Sequence, residues 1–117
     1  MKILVVDDEP LLVMTAADIL TDLGHTVVEA RSGKEALALL SEHGDIALMI
    51  TDHSMPAMTG AELVHQATAL RPDLKVLLAS GYDKLPDAPD LKVDRLPKPY
   101  FEADLIAAIA RVTEGGR

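Results

Sequence analysis

The stretch Ile3-Leu4-Val5-Val6-Asp7-Asp8-Glu9-Pro10 changes character in its middle: four apolar residues, β-branched except for Leu4, give way to three carboxylates and a proline. The apolar half is too short for a helix and reads as a strand buried on both faces. Pro10 suits a first helical turn, and Leu12, Ala16, Ile19, Leu20 and Leu23 then recur at helical spacing up to Gly24, a helix C-terminal glycine. A strand, an acidic break and a helix make up this first unit.

The rest of the chain repeats the plan. Thr26–Ala30 reads as a second strand, and Ser32 followed by Glu35 is a capping-box pattern opening a helix whose Ala36, Leu37 and Leu40 face runs on to Gly44. Ile46–Thr51 is the most apolar strand candidate and ends in Asp52-His53-Ser54-Met55-Pro56. Thr59 with Glu62 repeats the capping signature, with Leu63, Val64, Ala67 and Leu70 inward and a stop before Pro72. Lys75–Ala79 is a fourth strand ending at Ser80-Gly81. Between Gly81 and Val93 the pattern is weak and Pro86 and Pro89 stand close together, so the fourth helix is expected to be short or irregular. Val93–Leu96 is the fifth strand, Lys98 stands between Pro97 and Pro99, and Ala103–Val112 is an amphipathic helix with Leu105, Ile109 and Val112 on one face. Thr113–Arg117 reads as a frayed tail.

Strands alternating with helices at these lengths give an α/β fold: five βα units with right-handed crossovers, hence a parallel sheet covered by helices on both faces. With 117 residues and no interdomain linker, residues 1–117 are expected to be one domain. In the doubly wound order 2-1-3-4-5, called flavodoxin-like, the switch point falls between the first and third strands. Those strands end in Asp7-Asp8 and in Asp52, at the edge where such sheets bind ligands.

Composition removes several functions. A formal net charge of −8, with 11 scattered basic residues, supplies no patch to replace the counterions of a phosphate backbone, so nucleic acid is not an expected partner. Tyr82, Tyr100 and Phe101 are the only aromatic residues, too few for stacking platforms. No apolar run approaches the roughly 18 residues of a membrane span, and the start of the chain lacks the layout of a secretory signal, which makes the cytoplasm the expected location. The absence of cysteine excludes disulfides and thiolate metal sites.

Three carboxylates converging on one sheet edge repel unless a cation joins them. Mg²⁺, which takes one or two carboxylates plus waters and phosphate oxygens, suits Asp8 and Asp52 as direct ligands, Asp7 through a bound water, and a backbone carbonyl just past Asp52. If Asp52 attacks a phosphorus atom in line, the peripheral oxygens of the transferring group need partners, and the metal, the Lys98 ammonium and the Ser80 hydroxyl are placed to share them.

These residues carry a resemblance. Val5-Val6-Asp7-Asp8-Glu9-Pro10, Thr51-Asp52 with Met55-Pro56 and Thr59-Gly60, Ala79-Ser80-Gly81 and Lys98-Pro99, in this order and at these strand ends, resemble the receiver domain of bacterial two-component response regulators. The wording around Ser80 and Lys98 is most similar to receivers of hybrid sensor kinases, and single-domain regulators are the other form it resembles. The similarity runs from Ile3 to about Val112. It implies that Asp52 accepts a phosphoryl group from a phosphohistidine of a histidine kinase or histidine phosphotransfer protein. It assigns Mg²⁺ to Asp7, Asp8 and Asp52 with the Ser54 backbone carbonyl, and the phosphoryl contacts to Ser80 and Lys98. It further implies signalling by docking to a partner protein, with no independent enzymatic turnover.

Two features depart from that family. The position three before the lysine, where an aromatic residue usually couples site to surface, is Arg95 here, and the segment between Ser80 and Lys98 is short and contains Pro86 and Pro89. Tyr82 and Tyr100 are the aromatic residues available to stand in. Two other readings compete. A Mg²⁺-dependent aspartyl-phosphate phosphatase usually places nucleophile and acid two residues apart after the first strand, a spacing Asp7-Asp8 lacks. A protein-binding pseudo-receiver would have lost positions that are all filled here. His25, His43 and His65 read as solvated side chains without partners, His53 as pointing to the side opposite Asp52 and tuning access to its acyl phosphate, and Met14, Met49, Met55 and Met58 as core filler or loop anchors.

Overall fold

The computed structural model describes residues 1–80, 93–98 and 100–115. Five strands, β1 (Lys2–Val6), β2 (Thr26–Ala30), β3 (Ile46–Asp52), β4 (Lys75–Ser80) and β5 (Asp94–Pro97), form one parallel sheet in the order β2-β1-β3-β4-β5. Four helices belong to the described residues: α1 (Pro10–Asp22), α2 (Gly33–Glu42), α3 (Gly60–Leu70) and α4 (Glu102–Gly115). The expected sheet order is therefore the observed one. The expectation of a short or irregular helix between Gly81 and Val93 lies outside the described residues, as do Tyr82, Pro99 and the last two residues of the tail.

Alternation along β1 builds two cores. Ile3 and Val5 point to one face and pack with Val13, Ala16 and Leu20 of α1 and Leu105, Ala108, Ile109 and Val112 of α4. Leu4 and Val6 point to the other and pack with Ala36 and Leu40 of α2 and Leu63, Val64 and Ala67 of α3. The pairing of β1 with β3 shifts register between Lys2 and Ile3, which partner Ile46 and Leu48, so Ala47 is an extra residue. That bulge lets Ile46 share a core with Met49, despite odd spacing, while Leu48 and Ile50 face α1 and α4. Each fully buried leucine of these cores contributes about 2 kcal/mol of transfer free energy.

The helix ends follow the expected chemistry. Pro10 occupies the first turn of α1, and Gly24, at φ 95°, ends it in a Schellman motif in which the His25 N–H donates to Leu20 O and the Gly24 N–H to Thr21 O. Thr59 and Glu62 form the complete capping box of α3, whereas Ser32 shows the hydroxyl half, accepting from the Glu35 N–H. At α4 the Asp104 carboxylate accepts from the Phe101 N–H at 2.7 Å.

Several inward positions differ from the sequence reading. In α1 the buried residues are Val13, Ala16, Ala17 and Leu20, while Leu12 and Ile19 are half-buried and Leu23 is exposed. Thr15, Asp18, Thr21 and Asp22 share its outward side, but Leu11 and Met14 also lie there, so the apolar pattern is broad and the inward face lies part of a turn from the expected one. Leu70 and Met14 are also exposed rather than core. His25 and His43 are not solitary: the Met1 amino group donates to His25 Nδ1 at 3.1 Å, and the Lys2 ammonium donates to His43 Nδ1 at 3.0 Å and to Asp45. β5 spans Asp94–Pro97, one residue later than expected, and α4 reaches Gly115.

Candidate functional site

Parallel strands end together, and this sheet gathers its polar ends at one edge. Asp7 follows β1, its N–H continuing the ladder to Ala30 O, and its Oδ1 accepts from the Glu9 N–H at 3.0 Å. Asp52 closes β3 beside Ala79 of β4. Both side chains are buried, whereas Asp8 is exposed. Each of the three carboxylates offers an oxygen within 4.8 Å of the other two. This oxygen-only donor set fits a single hard divalent cation, which would join charges that otherwise repel.

Lys98 reaches into the cluster from the far side of β4. Its Nζ lies 2.6 Å from Asp52 Oδ1 and 3.5 Å from Asp7 Oδ2. Its backbone N–H donates to Ser80 O at 3.1 Å, which sets the lysine beside the end of β4, where the Ser80 side chain is also buried. Ser54 follows in the β3–α3 loop and is exposed. Asp7, Asp8, Asp52, Ser80 and Lys98 thus stand along one edge of the sheet, with Asp7, Asp8, Asp52 and Lys98 in one polar cluster.

The electrostatics follow from burial. Desolvation holds the Asp7 carboxyl above its usual range, the Asp52 and Asp8 charges push it further, and the Glu9 N–H and Lys98 pull against them. Burial alone would lower the Lys98 ammonium, yet its hydrogen bond to Asp52 and the charges of Asp52 and Asp7 prevail, leaving it above the ordinary lysine value. Tyr100, half-buried against the α1–α4 core, is raised by desolvation and then by the Asp7 charge. It lines a groove of about 370 Å³ with Lys98, Glu9, Leu12 and Ile19.

Three residues have structural roles at the site that the sequence reading did not give them. Gly60 opens α3 directly against the acceptor strand: a Cβ there would collide with the Asp52 carbonyl oxygen and lie 2.7 Å from His53 Cα. Its place in the quoted Thr59-Gly60 pair was the available signal. Thr51, fully buried, donates its hydroxyl to Asp52 O at 3.0 Å. His53 is buried on the α3 side, its Nδ1 accepting from the Ala61 N–H.

Comparison with known proteins bears on this geometry. Residues 3–110 match the model of the family described as response regulator receiver domain. The sensor kinase CckA of Brucella abortus (strain 2308) is 33% identical over 117 residues, covering 96% of this chain and 12% of that protein. The response regulator receiver protein CpdR of the same organism is 30% identical, covering 95% of each chain. The crystal structure of the response regulator TrrA from Thermotoga maritima, in complex with Mg²⁺-BeF, superposes with a TM-score of 0.83 at 26% identity, covering 95% of this chain and 97% of that one. The chain spans only a small part of the first of these relatives.

Proposed function

This chain belongs to the response regulator receiver domain family, and from that premise we propose that Asp52 is the phosphoacceptor of a two-component or phosphorelay step. The observation that supports this most is the Asp52 carboxylate, buried at the end of β3 amid Asp7, Asp8 and Lys98, with Lys98 Nζ at 2.6 Å. A carboxylate oxygen of Asp52 attacks phosphorus, the bond from phosphorus to the donor's imidazole nitrogen breaks, and the imidazole leaves with its electron pair and takes up a proton. Asp7, Asp8, Asp52 and the Ser54 backbone carbonyl are the groups that would hold Mg²⁺. When bound, that cation neutralises charge on the transferring group.

The chain's own residues divide the remaining work. Lys98 keeps the Asp52 carboxylate in place before transfer and afterwards offers its ammonium to a phosphoryl oxygen. The buried Ser80 hydroxyl, next to Lys98 through the bond between their backbones, donates to another. Residues 1–117 act as one receiver domain, taking the phosphoryl group from a histidine kinase or histidine phosphotransfer protein in the cytoplasm and signalling by docking to a downstream protein. Among the described residues no helix is long and apolar enough to cross a membrane. The phosphatase reading is disfavoured because Asp7 and Asp8, the carboxylates that follow the first strand, are adjacent and lack the two-residue spacing that reading needs.

Acetyl phosphate with Mg²⁺ is expected to label the wild-type protein, seen as a shifted band on a phosphate-affinity gel. Asp52→Asn should show no shifted band. Full labelling of that variant would remove Asp52 from the role.

A further inference from the structure

His53 takes no part in the chemistry above, yet it is buried beside Asp52 and tied on three sides. Its N–H donates to Ala79 O at 3.1 Å, extending the β3–β4 ladder by one residue beyond the acceptor aspartate. Its carbonyl accepts from Gly60 N–H at 2.8 Å and from Met55 N–H at 3.1 Å. Its Nδ1 accepts from Ala61 N–H at 3.4 Å.

The first N–H groups of a helix have no partner within it. In α3 those of Gly60 and Ala61 are taken by the His53 carbonyl and imidazole, and that of Glu62 by the Thr59 hydroxyl. One side chain therefore caps the helix from the strand side while its own backbone leaves the sheet next to Asp52. The intervening segment, Ser54 to Thr59, becomes a loop closed at both ends on His53. Acceptance at Nδ1 requires the neutral imidazole protonated at Nε2. An apolar side chain of similar size would fill the space and leave the Ala61 donor without this acceptor.

We propose that His53 is a positioning residue for the acidic pocket, pinning the N-terminus of α3 and thereby the Ser54–Thr59 loop against Asp52. The inference rests on the reading of this pocket as a divalent-cation and phosphoryl site, and assigns part of its preorganisation to a single imidazole. Residues that orient the groups around a metal without touching it typically alter affinity by about 10–100-fold when removed.

The test uses the full chain as wild type, His53→Leu, His53→Asn and Ala61→Pro. Asparagine keeps an acceptor near Nδ1, leucine removes it, and proline replaces the Ala61 N–H, which in the first turn of α3 has no partner within the helix. Magnesium chloride titrated by calorimetry should bind His53→Leu and Ala61→Pro about tenfold more weakly than wild type, and His53→Asn within about twofold of it. Amide exchange in the metal-free protein should quicken at Ala61 in His53→Leu alone of the two His53 variants. Wild-type affinity in His53→Leu, whatever its melting temperature, would reduce His53 to a packing residue, as would equal weakening in His53→Asn. If His53→Leu does not fold, Ala61→Pro decides by the same comparison with wild type. A wild type that neither binds Mg²⁺ nor takes label from acetyl phosphate overturns the reading of the pocket itself and this inference with it. A magnesium-binding, labelled wild type with indifferent variants overturns only the inference.

Discussion

Lys98 Nζ sits 2.6 Å from Asp52 Oδ1, an ion pair that reaches from the end of β5 to the end of β3 across the intervening strand β4. Asp52 is buried, and the lysine is 26% exposed at its side chain, so solvent screens the pair from one side only. In the metal-free protein Lys98 is the described cation that offsets the buried charge of Asp7 and Asp52.

Lys98→Met is accordingly expected to destabilise the metal-free protein by about 1–2 kcal/mol, less than the full cost of a wholly buried orphan charge. Urea unfolding with and without Mg²⁺ checks this, because a divalent cation would supply the lost positive charge and narrow the gap between variant and wild type. Equal destabilisation with and without Mg²⁺ would show that the lysine acts through packing.

Asp7 gives the metal-free protein a pH dependence of defined sign. Burial raises its carboxyl above 3.8, with the Asp52 and Asp8 charges adding to the shift and the Glu9 N–H and Lys98 opposing it. Between the unfolded and folded values the native state binds more protons than the unfolded chain, so this group's contribution to stability falls as pH rises through that window. Asp7→Asn removes the slope, and at pH 7 the metal-free variant should be more stable than wild type, on the order of 1 kcal/mol. Its Mg²⁺-dependent rise in melting temperature should shrink. Thermal melts across pH 4–7 measure both, and a less stable metal-free variant would contradict the repulsion argument.

Gly60→Ala tests the approach of α3 to the acceptor strand. An added Cβ would run into the Asp52 carbonyl oxygen and the Leu78 side chain, and the backbone atoms among these neighbours cannot swing aside. A loss of about 1–3 kcal/mol is expected, together with weaker Mg²⁺ binding because Asp52 moves with its carbonyl. Chemical denaturation combined with magnesium titration reads the two effects. Unchanged stability would mean the helix shifts freely.

Ala57 holds φ at 69° within the β3–α3 loop, a left-handed conformation that costs an L-residue about 1–2 kcal/mol. Ala57→Gly relieves this at some cost in unfolded-chain entropy, for a net gain of about 0.5–1 kcal/mol. Urea midpoints suffice, and a lower midpoint in the variant would argue that Ala57 packing outweighs its strain.

Much of the molecule was legible from residue order. The apolar runs ending in Asp7, Asp52 and Ser80 marked strand ends, and because parallel strands share one carboxyl edge, the site followed from the sheet order. Capping at Thr59, the glycine stop at Gly24 and the Leu105–Ile109–Val112 face were readable because each depends on neighbours within a few residues.

What depended on distant parts of the chain was not readable in this way. Helix α1 has a broad apolar side, of which periodicity marks Ala16 and Leu20, and packing on the sheet settled Val13 and Ala17 over Leu12 and Leu23 at its margins. The same holds for His53, whose burial required α3 to arrive with a free N–H, and for His43, whose partner Lys2 lies 41 residues away. Local composition determined the order of elements and which residues stand at the strand ends, because hydrophobic periodicity and capping act over a few residues. Tertiary packing alone decided the exact rotation of α1, that Lys98 closes on Asp52 across β4, and that an imidazole caps α3, because each requires two segments whose distance is set by the sheet and not by the chain between them.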